Sequence, residues 1–307
     1  MTTENNGDRV KRALVKLHVS IVLAGFTGLF GRLVTLNEID LAWYRLLFTG
    51  LIVLVFVGLP RVGWRKFFQI LLCGAMLGIH WMLFYGSIKA SNISIGVICF
   101  AMVGFFTAFV EPLMFRTRVV WSEVLYSLIT VAGLLCIFSF DSRYRTGIII
   151  GMLSSAMCAV YATYNKKIND DVPSRTMLLY QMMGGLLGVS LSIPVYLHFF
   201  PTDQAVMVLP QGSDLWWLLC LSLFCTVGLY LLQIMALRDL SAFTVNLTNN
   251  LEPCYTIAIA FLFFGEAHEV NASFYVGITM VLASVLLQTW ATMRASRRKQ
   301  TAEADTE

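Results

Sequence analysis

The residues of this chain that could do chemistry are few, and they stand in apolar surroundings. Asn246, Asn249, Asn250 and Glu252 gather in one apolar run, and Pro253 follows at once. On a helix, Asn246, Asn249, Asn250 and Pro253 share one face. Pro253 lacks the backbone donor that would continue the helical ladder, so the helix can open there. Amides in that array suit the polar groups of a bound solute; the competing reading is that they hydrogen-bond neighbouring helices and hold a bundle together. Glu252 is a carboxylate at a depth where charge needs a partner or water, which makes it a proton-coupling candidate. A cycle without any coupled ion fits the same residues.

A second group centres on His80, with Trp81 and Tyr85 one turn apart. An imidazole there could carry a proton near neutral pH, and the rings could stack on a flat or apolar solute. The competing reading is a neutral His80 bonded to a backbone carbonyl, with the aromatics as packing. Tyr161, Tyr164 and Asn165 close a later apolar run, and Tyr230 and Gln233 lie in another. Arg32 and Arg45 fall near Glu38 and Asp40, which favours snorkelling to an ion pair, although an Arg at a cavity mouth could also attract a carboxylate. Glu111 has Arg116 and Arg118 within reach, a structural pairing.

The elements that must position these groups follow from hydropathy. Of the 307 residues 58% are hydrophobic and 13% charged, with mean hydropathy +0.73, which excludes an ordinary water-soluble domain. A helix crossing a core of about 30 Å needs about 20 mostly apolar residues. Ten segments qualify: 17–36, 43–60, 67–88, 93–115, 120–140, 147–166, 176–199, 214–237, 242–264 and 270–292. They are too long and too uniformly apolar for barrel strands. The expected fold class is therefore an all-α membrane protein of about ten transmembrane helices. The first segment lacks a small-residue cleavage site and reads as a retained span.

Composition narrows the function classes further. The net charge of +4 comes from short basic clusters at the ends of apolar runs, which is a topology signal and not a nucleic-acid surface. All seven cysteines lie within apolar runs without a CxxC pair or a neighbouring His at ligand spacing, so no metal or other cofactor is expected. No Asp stands at a span centre, and neither HExxH nor GxSxG occurs, which argues against an intramembrane enzyme. A membrane sensor or assembly subunit is the other alternative, and the short loops offer it no signalling domain.

Placing the N-terminus in the cytoplasm leaves only Lys89, Arg143 and Arg145 on the far side, with Arg32 and Arg45 inside spans. Both termini, residues 1–16 and 295–307, are thus expected as cytoplasmic tails, in a bacterial inner membrane. A shift of 149 residues sets Thr107 on Thr256, Leu113 on Leu262, Phe115 on Phe264 and Tyr126 on Tyr275. The hydropathy repeats with it, giving halves 17–140 and 147–292 of five spans each. An odd count inverts the second half relative to the first, and two inverted five-helix repeats are the usual architecture of secondary transporters.

The stretch Leu240 to Glu266, LSAFTVNLTNNLEPCYTIAIAFLFFGE, resembles the second repeat of EamA-type members of the drug/metabolite transporter superfamily. Trp43-Tyr44-Arg45 is similar to the Arg-bearing start of that family's second helix. In the first half Gly104 and Thr117 stand where Pro253 and Glu266 would match, and Glu111-Pro112 appears instead. The resemblance implies a transporter of small metabolites such as amino acids, often an exporter, and gives Glu266 a helix-end or gate role. The expected site is a midplane cavity formed by spans 1, 3, 4, 6, 8 and 9, working by alternating access. Its substrate-binding residues would be Asn246, Asn249, Asn250, His80, Trp81, Tyr85, Tyr161, Tyr230 and Gln233, with protons as the coupling ion through Glu252.

Overall fold

A computed structural model describes residues 6–140, 142–168, 172–202, 204–237, 251–265, 272–273, 275–284, 286–287 and 290. In hydrocarbon no water can satisfy a free amide, so apolar runs of this length must close their backbone hydrogen bonds within one helix. The described residues accordingly form helices: α1 Asn6–Leu33, α2 Glu38–Val57, α3 Trp64–Ala90, α4 Ile93–Phe100, α5 Val103–Phe115 and α6 Trp121–Phe140. A single 3₁₀ turn, Ser142–Tyr144, leads into α7 Arg145–Ile168 and α8 Ser174–Phe199. Then come α9 Ser213–Ser222, a π-helical segment Leu223–Gly228, α10 Leu229–Leu237 and α11 Glu252–Phe264. Among the described residues seven stretches are long and apolar enough to cross a membrane, and Val124–Gly133, Cys254–Phe264 and Tyr275–Ser284 are shorter apolar helices. All ten fall on the predicted segments, and the chain is an integral multi-pass membrane protein.

Helix ends follow local chemistry. Asn37 and Asn92 cap α2 and α4, their side-chain oxygens accepting the N–H of Asp40 at 2.8 Å and of Ile95 at 2.9 Å, which satisfies a donor that has no intrahelical partner. The α2 helix stops at Gly58, whose φ of 65° suits a residue without Cβ.

Two spans depart from the uninterrupted helices that the hydropathy predicts. The fourth breaks at Ala101–Met102 between α4 and α5, with Met102 N–H donating to the Cys99 carbonyl three residues back. The eighth contains the π-helical segment, where an extra residue widens one turn.

The helices α3 and α8 approach most closely. A Cβ added at Gly74 would lie 2.1 Å from the Gln181 carbonyl oxygen, and one at Gly184 2.1 Å from that of Leu71. One turn along, Gly78 faces Gly185 at 2.7 Å on the same measure. Small residues four apart let backbones meet where the membrane supplies no hydrophobic drive for association. Around this seam α3 also packs along α7, α2 along α8, and α1 along α10 and α11.

One pair of helices repeats closely at the 149-residue offset. The 13-residue α5 begins at Val103 and ends in the left-handed cap Arg116, φ 56°. The 13-residue α11 begins at Glu252 and ends in the left-handed cap Gly265, φ 63°.

Candidate functional site

A cavity of about 270 Å³ lies where these helices converge. One wall is α3, with His80, Trp81 and Phe84; facing residues come from α10, with Leu229, Tyr230 and Gln233. Thr27 and Gly28 of α1, Val97 and Phe100 of α4, and Tyr161 of α7 enclose it. Glu252 and Thr256 contribute from α11. Helices α2 and α8 also reach it, through Arg45 and through Gln181 and Met182, so eight spans line the cavity where the sequence suggested six.

Arg45 is the largest departure from the sequence reading. It does not snorkel to Glu38 and Asp40: it is 4% exposed and turned into the cavity wall. Its Nε donates to Thr226 Oγ1 at 3.1 Å, Nη1 to the Tyr85 hydroxyl at 2.6 Å and Nη2 to the Cys225 carbonyl at 3.3 Å. The guanidinium carbon lies 3.8 Å from the centroid of the Trp81 ring, a cation–π contact that strengthens in a desolvated site. A guanidinium has five N–H donors, and the hydrogen bonds to described residues leave one on each terminal nitrogen, a pair that can grip a carboxylate. The π-helical turn is what brings the Cys225 carbonyl and Thr226 hydroxyl to bear on Arg45; Thr226 Oγ1 in turn donates to the Leu221 carbonyl at 3.3 Å.

The carboxylates expected to hold Arg45 are occupied elsewhere. Asp40 accepts the backbone N–H of Met207 at 2.7 Å and of Val208 at 3.0 Å, together with Asn37 Nδ2 at 3.0 Å. Glu38 accepts the Tyr196 hydroxyl at 2.7 Å. At the same end Asp214 accepts Thr35 N–H at 2.8 Å and Thr35 Oγ1 at 2.6 Å, and Lys89 donates to the Val34 carbonyl at 2.8 Å. Together they tie the α1–α2 end shut around the segment before α9. Glu111 also differs from expectation: it pairs with Lys166 at 2.6 Å, not with Arg116 or Arg118.

His80 meets a backbone carbonyl and also lines the cavity. Nδ1 lies 3.0 Å from the Ser154 carbonyl and 2.9 Å from Ser154 Oγ, while Ser154 Oγ donates to the His80 carbonyl. The ring stacks on Phe100 at 5.5 Å and lines the cavity. A proton on Nδ1, donated to the carbonyl, leaves Nε2 as an acceptor.

Of the residues singled out by sequence, the cavity brings together His80, Trp81, Tyr161, Tyr230, Gln233 and Glu252. Tyr85 stands behind that surface, fully buried, and reaches it only through Arg45. Asn246, Asn249 and Asn250 lie outside the described residues, as does Glu266. Glu252 opens α11, with Pro253 in its first turn, the position where Pro is tolerated because no donor is needed. Sequence reasoning missed Gln181, Thr226, Thr27 and Thr256 as lining residues. Gln181 carries its amide to Asn165 Oδ1 at 2.7 Å, and a single polar residue in an apolar run gave no signal of which face it takes. Among the described residues no three His, Cys, Asp or Glu side chains are grouped to hold a metal.

With this geometry in hand, comparison with known proteins identifies relatives. Residues 145–290 match the model of the EamA-like transporter family. The chain is 25% identical over 289 residues to a Bacillus subtilis (strain 168) protein named "Uncharacterized transporter YxxF", covering 90% of this chain and 88% of that one. A protein of known crystal structure superposes with a TM-score of 0.59 at 14% identity, over 93% of this chain and 99% of the other, a likeness of fold.

Proposed function

We propose that this chain, a member of the EamA-type transporters of the drug/metabolite transporter superfamily, is a secondary transporter that exports a small dipolar metabolite such as an amino acid. One observation carries the reading: the Arg45 guanidinium and the Glu252 carboxyl group line one cavity walled by Trp81, Phe84, Phe100, Tyr161 and Tyr230. A solute with a carboxylate for the Arg45 fork and an ammonium for Glu252 satisfies both groups at once. At about 270 Å³ the cavity sits just below the range of roughly 300–1,000 Å³ typical of small-molecule pockets, which favours a compact metabolite over a bulky drug. Export follows the family resemblance.

The mechanism is alternating access between the inverted halves, residues 17–140 and 147–292, with both termini in the cytoplasm of a bacterial cell. In the 149-residue register Asn246 and Asn249 correspond to Val97 and Phe100, two lining residues. That register supports assigning the amides to the same cavity, where they complement the solute's remaining polar groups. The hydrogen-bonded α1–α2 end acts as one gate, whose contacts exchange for contacts at the opposite end during the cycle. Glu252 is the group that exchanges a proton if the cycle is proton-coupled.

Counterflow in proteoliposomes tests the reading. Vesicles preloaded with unlabelled amino acids should take up labelled amino acid faster than vesicles carrying Arg45→Gln protein. Equal uptake by the variant, or no counterflow with any amino acid, would sink it.

A further inference from the structure

A second cavity, of about 740 Å³, opens between the start of α3 and the end of α7, remote from the one lined by Arg45 and Glu252. Arg65, Lys66 and Lys167 line it, with Trp64, Gln69 and Tyr164, and no carboxylate is among its described lining residues. Gly63 caps α3 without any side-chain hydrogen bond, and the first helical bond runs from Phe67 N–H to the Gly63 carbonyl. The first turn therefore adds N–H groups and the positive end of a 27-residue helix dipole to three cationic side chains. An apolar strip leads away from the cavity along α3: Trp64, Phe68 and Leu72 are 77%, 60% and 50% exposed at four-residue spacing. The Trp64 and Phe68 rings stack at 5.9 Å, and Trp at the mouth is the residue type that sits at a bilayer's interface.

We infer that this cavity is a binding site for an anionic phospholipid, its phosphate held by Arg65, Lys66, Lys167 and the α3 N-terminus and one acyl chain lying along Trp64, Phe68 and Leu72. Concentrated positive charge between helices at the membrane boundary selects anionic head groups. The adjoining apolar strip favours a lipid over free phosphate, because a soluble anion leaves that strip unused. The site joins α3 to α7, so an occupying lipid braces the helix carrying His80 and Trp81 against the helix carrying Ser154 and Tyr161.

Native mass spectrometry of the full-length protein, delipidated and titrated with dioleoylphosphatidylglycerol or dioleoylphosphatidylcholine, tests this. Phosphatidylglycerol adducts should survive activation that strips phosphatidylcholine. Arg65→Gln/Lys66→Gln/Lys167→Gln should lose at least about fivefold of that preference, the loss expected for even one interfacial cation. Arg116→Gln/Arg118→Gln/Arg175→Gln, which removes equal charge elsewhere, should keep it. Equal loss in both triples, or loss in neither, would overturn the proposal. Should the first triple not fold, Lys167→Gln alone should lose about fivefold, and an unchanged preference would overturn the proposal. Inorganic phosphate that fails to displace the lipid supports a lipid site; stoichiometric displacement would assign it to free phosphate instead.

Discussion

Helices α5 and α11, one from each expected half, share a backbone and differ in chemistry. They have the same length, begin 149 residues apart and end in left-handed caps at Arg116 and Gly265. Yet α5 opens on Val103 where α11 opens on Glu252. Across the cavity His80, Trp81 and Phe84 correspond in register to Leu229, Tyr230 and Gln233, and all six line it. The third span runs as unbroken α-helix where the eighth carries a π-helical turn that receives Arg45. Under the proposed function, matched helices would serve opening toward either side, while an asymmetric set of groups would grip a solute whose two ends differ.

The comparison breaks most completely at the seam between the halves. Gly184→Leu forces a side chain into the Leu71 carbonyl, where even a Cβ would sit at 2.1 Å. Overpacking costs about 1–3 kcal/mol in ordinary cores, and with backbone as the obstacle we expect the upper end or no folded protein, read by thermal melting in detergent. Arg45→Gln comes next. It removes three hydrogen bonds within the protein, about 2 kcal/mol of stability at roughly 0.6 each in membranes, and with them the charge-assisted contact to the solute, about 1.5–3 kcal/mol, so binding should weaken by more than about tenfold. Tryptophan-fluorescence titration would read it through Trp81.

Glu252→Gln sharpens the asymmetry without loosening the fold. Among the described residues no hydrogen-bond donor is set against its carboxylate, so melting should stay within about 1 kcal/mol while solute affinity falls about tenfold, the size of one lost charge contact. If Glu252 also couples protons, uptake driven by a pH gradient disappears in this variant while counterflow persists. Tyr85→Phe is the smallest effect. It removes one hydrogen bond to Arg45 from behind the cavity surface, worth about 0.6 kcal/mol or threefold in affinity, with maximal transport rate unchanged.

Much of this architecture was legible in the sequence because length and hydropathy decide where a chain crosses a membrane. His80, Trp81, Tyr161, Tyr230, Gln233 and Glu252 stood out as polar or amphipathic groups in apolar runs, and the cavity gathers them. Arg45 departs from its expected place for a physical reason. Two carboxylates lie within seven residues of it, and only the folded chain reveals that Asp40 holds the Met207–Val208 backbone and Glu38 holds Tyr196. The interruption at Ala101–Met102 and the π-helical turn at Leu223–Gly228 contain no Pro, so periodicity alone gave no warning. Tyr85 shares the third span with Trp81, but its hydroxyl serves Arg45 and its ring packs against Gly31, where an added Cβ would lie 2.7 Å away. A residue's spacing indicated the helix face and not how deep its tip would sit.

The central claim, that Arg45 and Glu252 grip opposite ends of one solute, is tested most directly by a chemical double-mutant cycle. Calorimetric titration would compare an amino acid that is transported, its decarboxylated amine and its N-acetyl derivative on wild type, Arg45→Gln and Glu252→Gln. The account predicts that the amine binds wild type and Arg45→Gln alike, and the N-acetyl acid binds wild type and Glu252→Gln alike, each weaker than the amino acid on wild type. An amino acid that binds all three proteins equally, or either analogue matching it on wild type, would contradict the account.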